Sequence, residues 1–126
     1  MNHHRCIICL GSNHLPIPHM TYAQQALTEL WPSIVFEAEL HTPAQDMDTN
    51  AAPFVNQVAH FNTSLTIDEV KKLCKQIEHN CGRCRAEKEQ HIIRMDIDLL
   101  IYDKTVLKPK QLRWPWLKHL SILATK

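Results

Sequence analysis

Asp96 and Asp98 flank a single isoleucine in the run Arg94-Met95-Asp96-Ile97-Asp98-Leu99-Leu100-Ile101. On an extended strand, residues two apart project from the same face, about 6.6 Å apart at roughly 3.3 Å per residue. Two bare carboxylates at that separation repel by about 2.5 kcal/mol at an effective dielectric near 20, and a bound cation removes the penalty. Oxygen ligands on one face, with room for water, suit Mg²⁺ shared with substrate phosphates better than they suit zinc. Taken alone, an Asp-x-Asp pair more often merely solvates an exposed strand face.

Arginines bracket this pair. Arg83 and Arg85 precede it by about a dozen residues and Arg94 stands two before Asp96; guanidinium forks match phosphate oxygens bidentately. A solvated basic loop accounts for them equally well one by one, but arginines and paired aspartates together favour a metal-bound polyphosphate. Phe54 and Asn56 share one face of a second extended run, opposite Val55, Ala59 and Phe61. An aromatic plane beside an amide that donates and accepts can sandwich and read a flat heterocycle, although Phe54 also suits an ordinary apolar strand position.

Two other patterns compete. Cys6-x-x-Cys9 and Cys81-x-x-Cys84 mimic a four-cysteine zinc spacing. Cys6 and Cys9, however, lie three apart on a strand and so face opposite sides, and Cys81 falls in a helical apolar stripe, where free cysteine behaves as a small hydrophobe. The nine histidines are scattered singly except His3-His4, without a His-x-x-x-His pair on a helix, and read as surface or core residues.

These groups must be positioned by a small set of elements. Residues 5–10 are apolar and end in Gly11-Ser12-Asn13, which predicts a buried strand and a tight turn. Thr21 with Gln24 fits a capping box for a helix carrying Ala23, Ala26, Leu27, Leu30 and Trp31, stopped by Pro32. Residues 34–41 alternate, with Ile34, Phe36, Ala38 and Leu40 on one face. Residues 42–53 read as a long surface loop and 54–63 as a third strand. Thr66 and Glu69 make a second capping box, and Val70, Leu73, Cys74, Ile77 and Cys81 form one stripe closed by Gly82. Residues 83–91 read as a charged loop. Residues 95–102 form a fourth strand with Met95, Ile97, Leu99 and Ile101 on one face, and 104–110 a small turn or hairpin. The tail from Leu112 is apolar with little pattern.

The order strand, helix, strand, strand, helix, strand is the ferredoxin-like α+β layout: an antiparallel sheet with both helices on one face and the other face open for a ligand. At 126 residues the chain allows a single domain over 1–126. Fourteen basic and 13 acidic side chains leave a formal charge of +1, which offers no bulk attraction to nucleic acid or anionic lipid. An RNA-binding module of this layout would need a basic surface and paired strand aromatics. No apolar run approaches the roughly 20 residues of a membrane span, and the start reads as no signal peptide. With five cysteines, an odd number, reduced thiols in a cytoplasmic protein are expected. Two glycines are too few for a Walker loop or a dinucleotide fingerprint, so side-chain cations and metal ions must hold any phosphate.

In order along the chain, Leu10-Gly11-Ser12-Asn13, Thr42-Pro43, Phe54-Val55-Asn56, Ile77-Glu78, Gly82-Arg83-Cys84-Arg85 and Asp96-Ile97-Asp98-Leu99-Leu100 resemble the 6-hydroxymethyl-7,8-dihydropterin pyrophosphokinase family over roughly residues 6 to 115. The resemblance implies a ferredoxin-like fold and pyrophosphate transfer from ATP to the pterin hydroxymethyl group, giving AMP. It implies two Mg²⁺ ions at Asp96 and Asp98, a pterin pocket of Thr42, Pro43, Phe54 and Asn56, and phosphate ligands at Arg83 and Arg85. Glu78 is similar to a helix-end position near the nucleotide, and Arg94 joins Arg83, Asp96 and Asp98 in the implied catalytic set. The sequence departs from the family in having Ile93 where a loop arginine usually stands, with Arg94 one residue later. It also has Gln90 about where a loop tryptophan would be, Pro115-Trp116 for a Pro-His pair, and an end at Lys126 where the family usually continues. A monomer acting on ATP and hydroxymethyldihydropterin is expected, with a non-catalytic or weakly active pterin-binding homologue as the alternative.

Overall fold

The structure, a computed structural model, describes residues 3–42, 53–111 and 117. Its central strand β1 (His4–Ser12) is buried along seven consecutive residues, because it is covered on both faces. On its left it pairs with β4 (Phe54–Thr63), on its right with β5 (Asp96–Tyr102), both antiparallel. Outside β4 run two short strands, β2 (Val35–Phe36) and β3 (Leu40–Thr42), and outside β5 lies β6 (Thr105–Val106). With the helices α1 (Pro16–Leu30) and α2 (Ile67–Asn80) packed on one side, this is the expected ferredoxin-like arrangement.

The main core lies between sheet and helices. Cys6, Ile8 and Leu10 of β1 meet Met20, Ala23 and Leu27 of α1 and Val70, Cys74 and Ile77 of α2. The capping box on α2 is present as read: Thr66 Oγ1 accepts from the Glu69 amide and the Glu69 carboxylate accepts from the Thr66 amide. Gly82 just beyond α2 has φ 92°, a conformation glycine adopts without the Cβ clash.

α1 corrects the sequence reading. It starts at Pro16, so Thr21 lies inside the helix and its hydroxyl donates back to the Ile17 carbonyl rather than capping. The usable signal was Pro16 itself, since proline is favoured in the first helical turn, where an amide would have no intrahelical partner. The loop over 83–91 also contains a short helix, α3 (Arg85–Glu89), built from good helix formers.

Two register shifts overturn parts of the expected alternation. Phe36 stands opposite Ala59, yet Leu40, four residues on, stands opposite Asn56, only three residues back along β4. One extra residue between β2 and β3 reverses the face, so Leu40 is exposed while Phe36 packs on the core. On β5, Ile7 faces Ile101 but Ile8 faces Leu99, so Leu100 is the extra residue. Ile101 therefore leaves the side of Ile97 and Leu99 and joins Leu100 in a second cluster with Ile7, Cys9, Val58 and the fully buried Leu117. That cluster covers one half of the face expected to be open; Asn56, Gly11 and Asp96 lie in the other half. No helix among the described residues is long and apolar enough to cross a membrane.

Candidate active site

At the end of the sheet beyond the second cluster, Gly11 pairs with Asn56 on one side and Asp96 on the other. One row across three strands thus reads amide, bare backbone, carboxylate, and spans roughly 10 Å at the usual strand spacing. A Cβ on Gly11 would stand 2.9 Å from Asn56 Oδ1 and 3.3 Å from Phe54 Cδ1, so the absent side chain is what lets Asn56 and Phe54 pack closely over this row. Thr42 is opposite Phe54, and its hydroxyl accepts a hydrogen bond from the Asn56 amide nitrogen. The extra residue before Leu40 therefore matters to the site: it turns Thr42 toward Asn56. Pro43 lies outside the described residues.

Asp96 and Asp98 occupy the same face, as their spacing requires, and line one cleft together. Burial, and then the neighbouring Asp96 charge, push the Asp98 carboxyl up to about 7, so it resists ionising beside its neighbour. Gln111 Nε2 donates to Asp98 Oδ2 at 3.1 Å, and Arg83 Nη1 donates to Asp96 Oδ1 at 2.7 Å. Arg83 also pairs with Glu78 at 3.2 Å, and Glu78 Oε2 accepts from the Ile97 amide at 2.7 Å. That last bond is available because β6 pairs with Ile101 and Tyr102 and, among the described residues, no strand pairs with the outer edge of β5 at Asp96 and Ile97. Burial raises the Glu78 carboxyl, while the Ile97 amide and Arg83 oppose the shift.

A cleft of about 260 Å³ opens at this edge between α2 and β5, with Lys71, Lys75, Arg83 and Lys108 around Asp96 and Asp98. A second cleft of about 430 Å³ adjoins it, lined by Lys75, Glu78, His79, Arg83, Cys84, Arg85 and Lys88. The two clefts hold cations on both flanks of the carboxylate pair, an arrangement suited to a polyanion brought to a metal ion.

A family model, 7,8-dihydro-6-hydroxymethylpterin-pyrophosphokinase, matches residues 7–122. The chain belongs to this family. A comparison with curated proteins finds no match. The family's reaction is pyrophosphate transfer in folate biosynthesis, which implies small-molecule substrates, ATP among them, and typically Mg²⁺.

The residues present fit such a cation. Among the described residues no group of three or more His, Cys, Asp or Glu side chains is arranged to hold a metal by itself. A pair of adjacent carboxylates, one resisting ionisation because of burial and its neighbour's charge, matches the Mg²⁺ habit of taking one or two carboxylates and completing its shell with phosphate oxygens and water. The cysteines suit no such role. Cys6 and Cys9 belong to the two separate clusters on opposite faces of the sheet, and only Cys84 is exposed.

Of the residues singled out in the sequence, the fold gathers Thr42, Phe54 and Asn56 on one side of Gly11 and Glu78, Arg83, Asp96 and Asp98 on the other. Arg85 lines the larger cleft. Arg94 has a different engagement, with its Nε and Nη2 donating to the two Glu87 oxygens of α3 at 2.8 and 2.9 Å. Reasoning from sequence missed Gln111, Lys108 and the pair Lys71 and Lys75. The signal for the last two was present, since residues four apart on α2 share a face with neighbouring Glu78.

Proposed function

We propose that this member of the family transfers the pyrophosphoryl group of ATP to the hydroxymethyl oxygen of 6-hydroxymethyl-7,8-dihydropterin, releasing AMP, with two Mg²⁺ ions held at Asp96 and Asp98. The observation that carries the reading is the row Asn56, Gly11, Asp96, which sets a heterocycle-reading amide and a metal-suited carboxylate on one face of the sheet, with the strand of Gly11 between them. Asn56, oriented by Thr42, reads the edge of the pterin and Phe54 lies against its plane; Pro43, next to Thr42 in the sequence, is assigned to the same pocket by the family resemblance. The ring then points its hydroxymethyl arm across Gly11 toward the aspartates.

Arg83, Arg85 and the lysines of the clefts hold the triphosphate, and Glu78 fixes both Arg83 and the edge of β5 beside the nucleotide. When bound, Mg²⁺ supplies charge neutralisation of the phosphates and a template for in-line attack. The protein's part is positioning and electrostatic stabilisation, without a covalent intermediate. Arg94, held on Glu87, enters the reaction through the placement of α3. The test is AMP formation from ATP by the purified chain, measured with and without hydroxymethyldihydropterin and Mg²⁺; the reading requires AMP that depends on both, and its absence overturns the reading.

The Arg94–Glu87 pair supports a second reading, pterin binding without turnover, because an arginine committed to α3 is not offered to phosphate. Calorimetry separates the two: pterin heat that is unaffected by ATP and Mg²⁺ favours the second.

A further inference from the structure

Asn13 makes three hydrogen bonds to the segment that leads into β5. Its amide nitrogen donates to the Ile93 carbonyl at 3.0 Å, its Oδ1 accepts from the Ile93 amide at 2.7 Å, and its Nδ2 donates to the His91 carbonyl at 2.8 Å. The regular pairing of β1 with β5 ends at Gly11 and Asp96. Asn13 therefore extends the ladder past its last pair, with a side-chain amide in place of a further strand residue.

The consequence falls on Asp96. It is the first residue of β5, at an edge where β6 gives no cover, and strand ends of this kind open locally at small cost. Fraying at this end would free the Asp96 carboxylate from the face it shares with Asp98, because only the extended strand holds residues two apart on one side. With Ile93 tied to Asn13 and Asp96 tied to Gly11, only Arg94 and Met95 lie between two fixed points. We propose that Asn13 is a positioning residue for the Asp96–Asp98 pair, acting through Ile93 without touching substrate; this rests on the function proposed above.

The experiment compares wild type, Asn13→Ala and Asn13→Asp in three measurements. These are steady-state AMP formation, calorimetric binding of Mn²⁺ with α,β-methylene-ATP, and the thermal midpoint. Asn13→Ala is expected to lower kcat about 10- to 100-fold, the cost of a misplaced reacting centre, with the KM for pterin little changed. It is also expected to weaken Mn²⁺-nucleotide binding. Asn13→Asp keeps the acceptor for the Ile93 amide and loses the donor to His91, so it should fall between the two; if Asn13→Ala does not fold, Asn13→Asp decides. Unchanged kcat and unchanged Mn²⁺-nucleotide affinity overturn the proposal. So does a lowered midpoint with kcat and KM worsened in parallel, which marks a merely structural loss. If wild type makes no AMP, the proposed function fails, and the Mn²⁺-nucleotide affinities alone decide the role of Asn13.

Discussion

The backbone of Gly11 approaches Asn56 so closely that a Cβ there would lie 2.9 Å from the Asn56 amide oxygen. Gly11→Ala should accordingly push Asn56 off its bond with Thr42 and occupy the floor between amide and carboxylates. We expect pterin affinity to fall about tenfold or more, equivalent to the loss of one or two good hydrogen bonds. Mn²⁺-nucleotide binding should persist, because Asp96 and Asp98 lie on the far side of the row. Calorimetry with each ligand separately checks this, and an equal loss of both would point to a damaged sheet instead.

Asp98 makes the metal-free chain sensitive to pH. Burial and the neighbouring Asp96 charge raise its folded carboxyl to about 7 from the ordinary 3.8. A raised acid contributes its stability in full below the unfolded value, and that contribution is lost as pH rises through the folded value. The metal-free thermal midpoint should therefore decline between about pH 4 and pH 7 from this group. Asp98→Asn should flatten the decline and abolish Mg²⁺-dependent activity while leaving the fold intact. Asp96→Asn should abolish activity as well. A mutant protein that turns over normally would remove the metal role from that residue.

Arg94 and Glu87 form a bidentate pair, so the effects of removing either should coincide. In a double-mutant cycle of Arg94→Ala and Glu87→Ala, the double variant is expected to be no worse than either single one in kcat/KM. A much larger loss for Arg94→Ala than for Glu87→Ala would instead give the guanidinium a direct contact with substrate.

Leu117 seals the second cluster above Ile7, Cys9 and Ile101 and is fully buried. Leu117→Ala should cost about 2–4 kcal/mol in urea unfolding, in the range for truncating a buried leucine. A loss under about 0.5 kcal/mol, the scale of a surface change, would contradict its burial.

Thiol accessibility offers a check on both faces of the sheet at once. Burial pushes the Cys6 and Cys74 thiols up to about 12 and raises Cys9 and Cys81 as well, whereas Cys84 is exposed. Native protein should show one fast-reacting thiol with an aromatic disulfide reagent, and all five cysteines after denaturation. Two or more fast thiols would place one of the buried cysteines at the surface.

The sequence by itself determined the elements whose signals are local. The α2 capping box and stripe and the 54–63 strand depend on neighbours within a few residues and stand where the spacing puts them. β1, by contrast, runs on through Gly11 and Ser12, which read as a tight turn, whereas Gly11 pairs with strands on both sides and Ser12 with β4. The common face of Asp96 and Asp98 follows from strand periodicity alone. Tertiary structure decided what depends on register. The extra residue between Phe36 and Leu40 turned Thr42 toward Asn56, and the one at Leu100 sent Ile101 to the second cluster. Neither shift has a local signature, because a bulge is fixed by which strand lies alongside and what packs on it. The same holds for Gly11 between Asn56 and Asp96, for Glu78 on the Ile97 amide and for Asn13 on Ile93. These partners are many residues apart in the chain and meet only once the strands have paired, so the chemistry-bearing types were legible while their contacts were not.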